Sequence, residues 1–258
     1  MNEKIFQRLY WEQVKNLTIA NMKSRYRKTF AGFLWVVMSP ILIYGVQSLV
    51  FKHFLKIDIQ NYSLFLLGGL LPWIFITQSI DMCTPLFLTN RDLLLGFKIN
   101  PLVILLSQIL DNFFNFLFAF MLLLIPFWII LGDNIGGLPY LFFALINLIL
   151  GLIGVAWLLS ILQVFYRDTR FVLPFITNVA LFLTPIFYPP EFVPENLRPI
   201  IEANPLYLLI VPVRTCIYSF TSDLFLKQIL VGSLVTVTTL SLAYFYWRKK
   251  RNEFYIHL

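Results

Sequence analysis

Residues 101–131 read PLVILLSQILDNFFNFLFAFMLLLIPFWIIL, thirty-one positions with no lysine or arginine and a single acid. A helix needs about 20 apolar residues to cross the ~30 Å hydrocarbon core of a bilayer, so this segment alone commits the chain to lipid. Further runs of the same kind lie at roughly 31–51, 62–82, 138–165, 171–188 and 224–247, with the long run counted as 102–131. The expected fold is all-α and integral to the membrane, with six transmembrane helices. The 102–131 run is too long for one upright helix and too short for two; a tilted helix, or a half-turn added at Pro126, fits it. Composition agrees, since 59% of residues are hydrophobic and 13% charged, where soluble domains carry roughly 25% charge to cover a water-facing surface.

The formal net charge of +7 raises the question of a nucleic-acid partner. The basic residues instead sit at the ends of the apolar runs, which is how topology is written into a membrane protein. No nucleic acid is expected; membrane lipids, or an anionic substrate carried on a lipid, are. Of the 20 lysines and arginines, 15 fall in 1–30, 83–101, 166–170 and 248–258, while four fall in 52–61 and 189–223 and Lys227 lies at the far end of the last run. The asymmetry places both termini in the cytoplasm. The chain divides into a basic interfacial segment (1–30), a membrane domain (31–247) and a cytoplasmic tail (248–258). Cys83 and Cys216 fall on opposite sides, so no disulfide is expected between them.

Two segments are not simple connectors. In 1–29, Lys4, Arg8, Glu12 and Lys15 share one helical face, and Ile5, Phe6, Leu9, Tyr10, Val14 and Leu17 fall nearby on the other. That pattern describes an amphipathic helix lying along the membrane surface. In 185–223, six prolines from Pro185 to Pro205 forbid a continuous helix, and the apolar stretch after them is too short to span and contains Pro212. A pair of short re-entrant helices entering from the outer side is expected, lining a pathway or capping the bundle.

Several chemistries are missing. No glycine is followed by lysine, so there is no G-x-x-x-x-G-K-[ST] loop for a nucleotide. The two histidines, His53 and His257, lie outside the crossings, and no ligand-spaced cluster points to a metal. Asp81 and Asp111 fall within crossings, where charge is costly. Asp111, flanked by Ser107, Gln108, Asn112 and Asn115, suits either a polar helix–helix contact or a proton relay. The cluster KSRYRK (23–28) just before the first crossing is placed to anchor the chain or to bind lipid phosphate or pyrophosphate. Phe33, Trp35 and Tyr44 are candidates for an aromatic track that stacks on sugars.

SRYRKTFAGFLWVVMSP, YSLFLLGGLLPWIF, FYRDTRFVLPF and TPIFYPPEFVPENLRPIIEANPLYLLIVPVR resemble, in that order, four blocks of the type-2 ABC exporter permeases. The likeness is to their polysaccharide-export branch, nearest to the O-antigen exporter membrane subunits of the Wzm type. Where that family often has K-x-x-x-P-R, this chain reads FKINPLV, and Thr184 stands where serine is common. The resemblance implies a homodimer working with two copies of a separate ATPase subunit. ATP and Mg would be held by that partner, and this chain would bind no cofactor. It implies transport of polysaccharide linked to undecaprenyl pyrophosphate out across a bacterial inner membrane. Arg25, Arg27 and Lys28 would meet the lipid pyrophosphate. The first and fifth crossings, with Phe33, Trp35 and Tyr44, would line the channel. Phe187, Tyr188 and Pro189 would gate the exit, and Arg8, Arg91, Asp92 and Lys98 would contact the ATPase. Teichoic acid or capsule export, a polyprenyl-phosphate transferase and a proton-coupled flippase are the rival readings.

Overall fold

The computed structural model describes residues 3–27, 34–56, 58–97, 99–131 and 135–258, and among them every regular element is helical. Helix α1 (Glu3–Tyr26) precedes α2 (Trp35–Ser48), which runs directly into a π-helical turn, Leu49–Phe54. Then follow α3 (Tyr62–Cys83), the short α4 (Leu86–Thr89) and α5 (Arg91–Gly96), α6 (Pro101–Leu131), α7 (Leu138–Phe165), α8 (Thr169–Leu183), α9 (Arg198–Glu202), α10 (Pro205–Ile217) and α11 (Ser222–His257). Five helical stretches are long and apolar enough to cross a bilayer: Trp35–Phe54, Tyr62–Cys83, Pro101–Ile130, Leu138–Phe165 and Ser222–His257.

Helix α3 is the axis of the molecule. Its spanning window is 78% buried, with α2, α6, α7, α8 and α10 packed around it. It carries no Lys or Arg, so apolar neighbours can surround it on every side. Helix α6 is a single 31-residue element with Pro126 inside it. At 1.5 Å per residue it is about 46 Å long, well beyond the hydrocarbon thickness, and the tilted-helix reading accounts for it without a break.

Helix α8 is shorter than its apolar run. The chain leaves helical geometry at Thr184, whose φ/ψ of −100°/126° is extended, because Pro185 disfavours α conformation in the residue before it. The next residues fold back over the bundle. Asn204 caps α10: its side-chain oxygen accepts from Leu206 N at 3.0 Å, with Pro205 as the first helical residue. Its amide also donates to Thr184 Oγ1 at 2.9 Å. One asparagine therefore ties the end of α8 to the start of α10. Residues Leu209–Ile217 of α10 are buried without a gap, so this 13-residue helix sits inside protein.

Helices α7 and α11 form the most extensive pair in the bundle. Small residues permit the approach: a Cβ at Gly154 would lie 2.7 Å from the backbone nitrogen of Leu240 and 2.6 Å from Thr239 Oγ1. Residues 248–257, expected as a tail, are the last turns of α11. Phe254 is fully buried, with its ring against Phe87 and Trp247, and His257 packs on Phe165. These contacts gather the ends of α3, α7 and α11 that adjoin Arg91, Arg167 and Arg248–Arg251 into one basic end of the bundle, with the 184–204 segment at the opposite end. Cys83 and Cys216 are both free and buried.

Gly154→Ala should lower the unfolding free energy in detergent by about 1–3 kcal/mol, the usual penalty of overpacking. Gly96→Ala, where an added Cβ meets nothing within 4 Å, should be neutral or slightly stabilising. Equal thermal midpoints for the two variants would contradict the close α7–α11 approach.

Candidate functional site

Charge inside the bundle concentrates where α1 meets α6. Helix α1 docks through Val14 and Thr18, which are buried, and the Thr18 hydroxyl donates to its own helix at Val14 O (2.8 Å) and lies 3.4 Å from Ser107 O of α6. Continuing along the same stripe, Arg25 in the last turn of α1 reaches into the space between α3 and α6. Its Nη2 lies 2.5 Å from both Asp111 Oδ2 and Asn112 Oδ1, and 3.2 Å from Met82 Sδ. Asp111 is 1% exposed and the Arg25 side chain 20% exposed.

A buried carboxylate is tolerable only when it is paired and hydrogen-bonded, and the polar run noted in the sequence supplies the rest of the shell. Gln108 Nε2 donates to Asp111 Oδ2 (3.3 Å) and Asn112 Oδ1 (3.4 Å). Asn115 Nδ2 donates to Asp111 Oδ1 at 3.4 Å, and Asn112 Nδ2 donates to Ser79 Oγ of α3 at 3.1 Å. Of the two readings open for Asp111, the geometry has the polar helix–helix contact, joining α1, α3 and α6.

Beside this cluster lies a cavity of about 320 Å³. Its polar lining is Arg25, Ser39, Gln78, Asn112 and Asn115, and Trp35, 56% exposed, is also on it. Pro40, Leu71, Phe75 and Phe116 form the apolar wall. Gln78 is exposed on the mostly buried α3, as are Asp81 and Met82 nearer its end. The structure thus brings Arg25 and Trp35, expected separately as a phosphate ligand and a channel aromatic, to one hollow.

The other expected residues are spread over the molecule. Arg27 is exposed; Lys28 and Phe33 lie outside the described residues, as does Lys98, and for Arg8 only the helical backbone is described. Arg91 and Asp92 are exposed on α5 at the basic end. Tyr44 donates to Ser63 Oγ at 2.8 Å and its ring lies 5.9 Å from Phe127. Phe187 is buried, stacked on Phe51 of the π-helical turn at 5.0 Å, and its carbonyl accepts from the Tyr62 hydroxyl at 3.1 Å. Tyr188 donates to Phe182 O at 2.8 Å, and Pro189 leads into a single 3₁₀ turn. Asp81 is exposed near the end of α3.

Sequence reasoning gave no role to Arg214, a cation buried in the bundle. It is 6% exposed, and among the described residues it has no carboxylate partner. Its Nη1 donates to Pro185 O at 2.6 Å and its Nη2 to the Tyr207 hydroxyl at 3.1 Å, while the guanidinium carbon lies 4.6 Å from the centre of the Phe65 ring. A carbonyl, a phenol and a π-face replace the missing counter-ion. The glycine pair Gly68–Gly69 was the available signal, because a Cβ at Gly68 would already stand 3.3 Å from Arg214 Cγ.

Residues 12–218 match the ABC-2 type transporter family. The chain is 27% identical over 237 residues to an O-antigen export system permease protein RfbA of Klebsiella pneumoniae, covering 88% of each chain. A Myxococcus xanthus protein of the same name is 27% identical over 210 residues, covering 79% of each.

Asp111→Leu should cost roughly 3 kcal/mol, the low end for breaking a buried pair, because Arg25 keeps a fifth of its side chain exposed. Adding Arg25→Met to Asp111→Leu should recover part of that loss when unfolding is followed in detergent. A double variant no more stable than the sum of the two singles would show that the pair carries no coupling.

Proposed function

The chain belongs to the ABC-2 type transporter family, and from that membership we propose that it is the permease subunit of an ATP-driven exporter of polysaccharide linked to undecaprenyl pyrophosphate. The observation that carries the cargo is its likeness, over 88% of both chains, to a protein named for O-antigen export. The power source is a separate ABC ATPase, two copies of which serve two copies of this chain in the bacterial inner membrane. Both termini face the cytoplasm, so the basic end is the cytoplasmic end.

Six crossings follow if the 15-residue α8, about 22 Å long, is completed by the buried, non-helical segment 184–187; α9 and α10 then form the re-entrant pair. Helices α2 and α8 offer the seam between copies. The spanning window of α2 is 11% buried, and α8 leaves Phe171, Phe175 and Phe182 exposed. A polymer threads between these faces, and the lipid head engages the basic pre-helix block. Arg25 is already engaged with Asp111, so Arg27 and Lys28 are the cations to test for first contact with the head. Surfaces on α1 and the 89–101 loop, with Arg8, Arg91, Asp92 and Lys98, receive the ATPase. Teichoic acid or capsule polymer is the nearest alternative cargo.

Proteoliposomes containing this chain and its ATPase should accumulate undecaprenyl-linked polysaccharide on the far face only with ATP. Transport by the permease alone without ATP would refute the assignment. Arg27→Gln combined with Lys28→Gln should cut export severalfold while the permease–ATPase complex still purifies intact; unchanged export would remove the two cations from the lipid path. Phe175→Cys, introduced where both native thiols are buried, should give an oxidant-induced dimer in membranes, and a monomer throughout would argue against the α8 seam.

A further inference from the structure

The hollow beside Arg25 has a composition that neither a lipid tail nor a passing polymer requires. Its volume of about 320 Å³ lies at the small end of ligand pockets, roughly 300–1,000 Å³, and holds a headgroup rather than a chain. One cation, two asparagine amides, a glutamine amide, a hydroxyl and the partly exposed indole of Trp35 line it. An indole face suits the apolar side of a pyranose ring, amides suit its hydroxyls, and a guanidinium suits a phosphate oxygen. Gln78 stands at membrane depth with its side chain exposed into this space, where a polar group needs a hydrogen-bonding partner other than lipid.

Resting on the exporter reading above, we infer that this cavity receives the phosphate-linked first sugar of the lipid-borne substrate, and that Asp111 is an internal anion which holds Arg25 until the substrate phosphate replaces it. The geometry fits an exchange. Arg25 lies at the cavity wall and is partly exposed, whereas Asp111 sits behind it and is closed to solvent. When Arg25 turns to a phosphate, Asp111 keeps two donors on its own helix, Gln108 at 3.3 Å and Asn115 at 3.4 Å. Asn112, at 2.5 Å from Arg25, also lines the cavity, so the guanidinium can shift between the two without losing every partner. The carboxylate lowers affinity for any phosphate and so demands a ligand that brings more contacts than charge alone. A sugar against Trp35 and Gln78 supplies them. Ordinary anionic lipids, which bring a phosphate without that sugar, are thereby rejected.

The test is equilibrium binding to the full-length chain in nanodiscs, with two probes: undecaprenyl pyrophosphate, and the same lipid bearing one hexose. Wild type should bind the hexose-bearing probe more tightly. Asp111→Asn, which keeps the shape and removes the competing charge, should tighten both probes by about tenfold, as expected for removing an anion that pairs with the arginine. Gln78→Ala should abolish the preference for the hexose while leaving bare undecaprenyl pyrophosphate unaffected. A single cooperative thermal transition in each, with the Asp111→Asn midpoint lowered by loss of the ion pair, would show that both variants are folded; if Asp111→Asn is not, Asp111→Ser serves in its place. Unchanged affinities in the Asp111 variant would overturn the exchange, and equal wild-type affinity for the two probes would overturn the sugar site. A wild-type chain that binds neither probe would instead sink the exporter reading on which the inference stands.

Discussion

The ion pair between Arg25 and Asp111 decides where the first helix of the molecule can lie. An amphipathic segment at a membrane surface is free to slide and roll, since its apolar face finds lipid everywhere. Arg25 removes that freedom. Its guanidinium must reach one carboxylate on α6, and the stripe formed by Val14, Thr18 and Arg25 fixes which face of α1 turns inward. The cavity lies beside this contact, where α2 packs on α3 and α6 with Trp35 and Gln78 both on its lining.

Arg214 meets the same difficulty at the other end by a different route. It has no acid to neutralise it among the described residues, so it draws in the Pro185 carbonyl, the Tyr207 hydroxyl and the Phe65 ring. Each comes from a different stretch of chain, and their convergence fastens the proline-rich segment to α3. Gly68 of α3 is the complement: a side chain there would press on the stem of the arginine. Partly exposed Arg25 anchors α1, and buried Arg214 anchors a loop.

The apolar runs made most of the fold legible before any coordinates. Runs without interruption, such as 62–82 and 138–165, match α3 and α7 closely, because a continuous apolar stretch in lipid has no alternative to a helix. The fifth run was read through to residue 188, yet helix ends at Leu183. Hydropathy sees Ile186 and Phe187 as membrane residues and is blind to the extended backbone that Pro185 imposes, although both side chains are buried in protein. Likewise the last turns of α11 looked like a charged tail, since Arg248–Arg251 outweighed the residues that pin them, Phe254 above all. The functional cluster was half visible. Asp111 and its amides were noted on one helix and Arg25 on another, but 86 residues separate the pair, and no spacing rule joins them. Arg214 was noticed only as the end of a motif, because a cation satisfied by a backbone carbonyl and aromatic groups leaves no complementary charge to find.

Helix α11 runs for 36 residues without a break, about 54 Å at 1.5 Å per residue. Phe254 is locked beneath Phe87 at one end, Gly154 of α7 lies against its middle, and Thr215 of α10 bonds to Gln228 nearer its start. An element held at three such points behaves as a stiff spoke. It cannot hinge in one half while the other stays still, so α7, α10 and α11 move together as a fixed wall. Any widening of this protomer then falls to the flank of α2 and α8, where α8 has few neighbours and the spanning window of α2 is 11% buried.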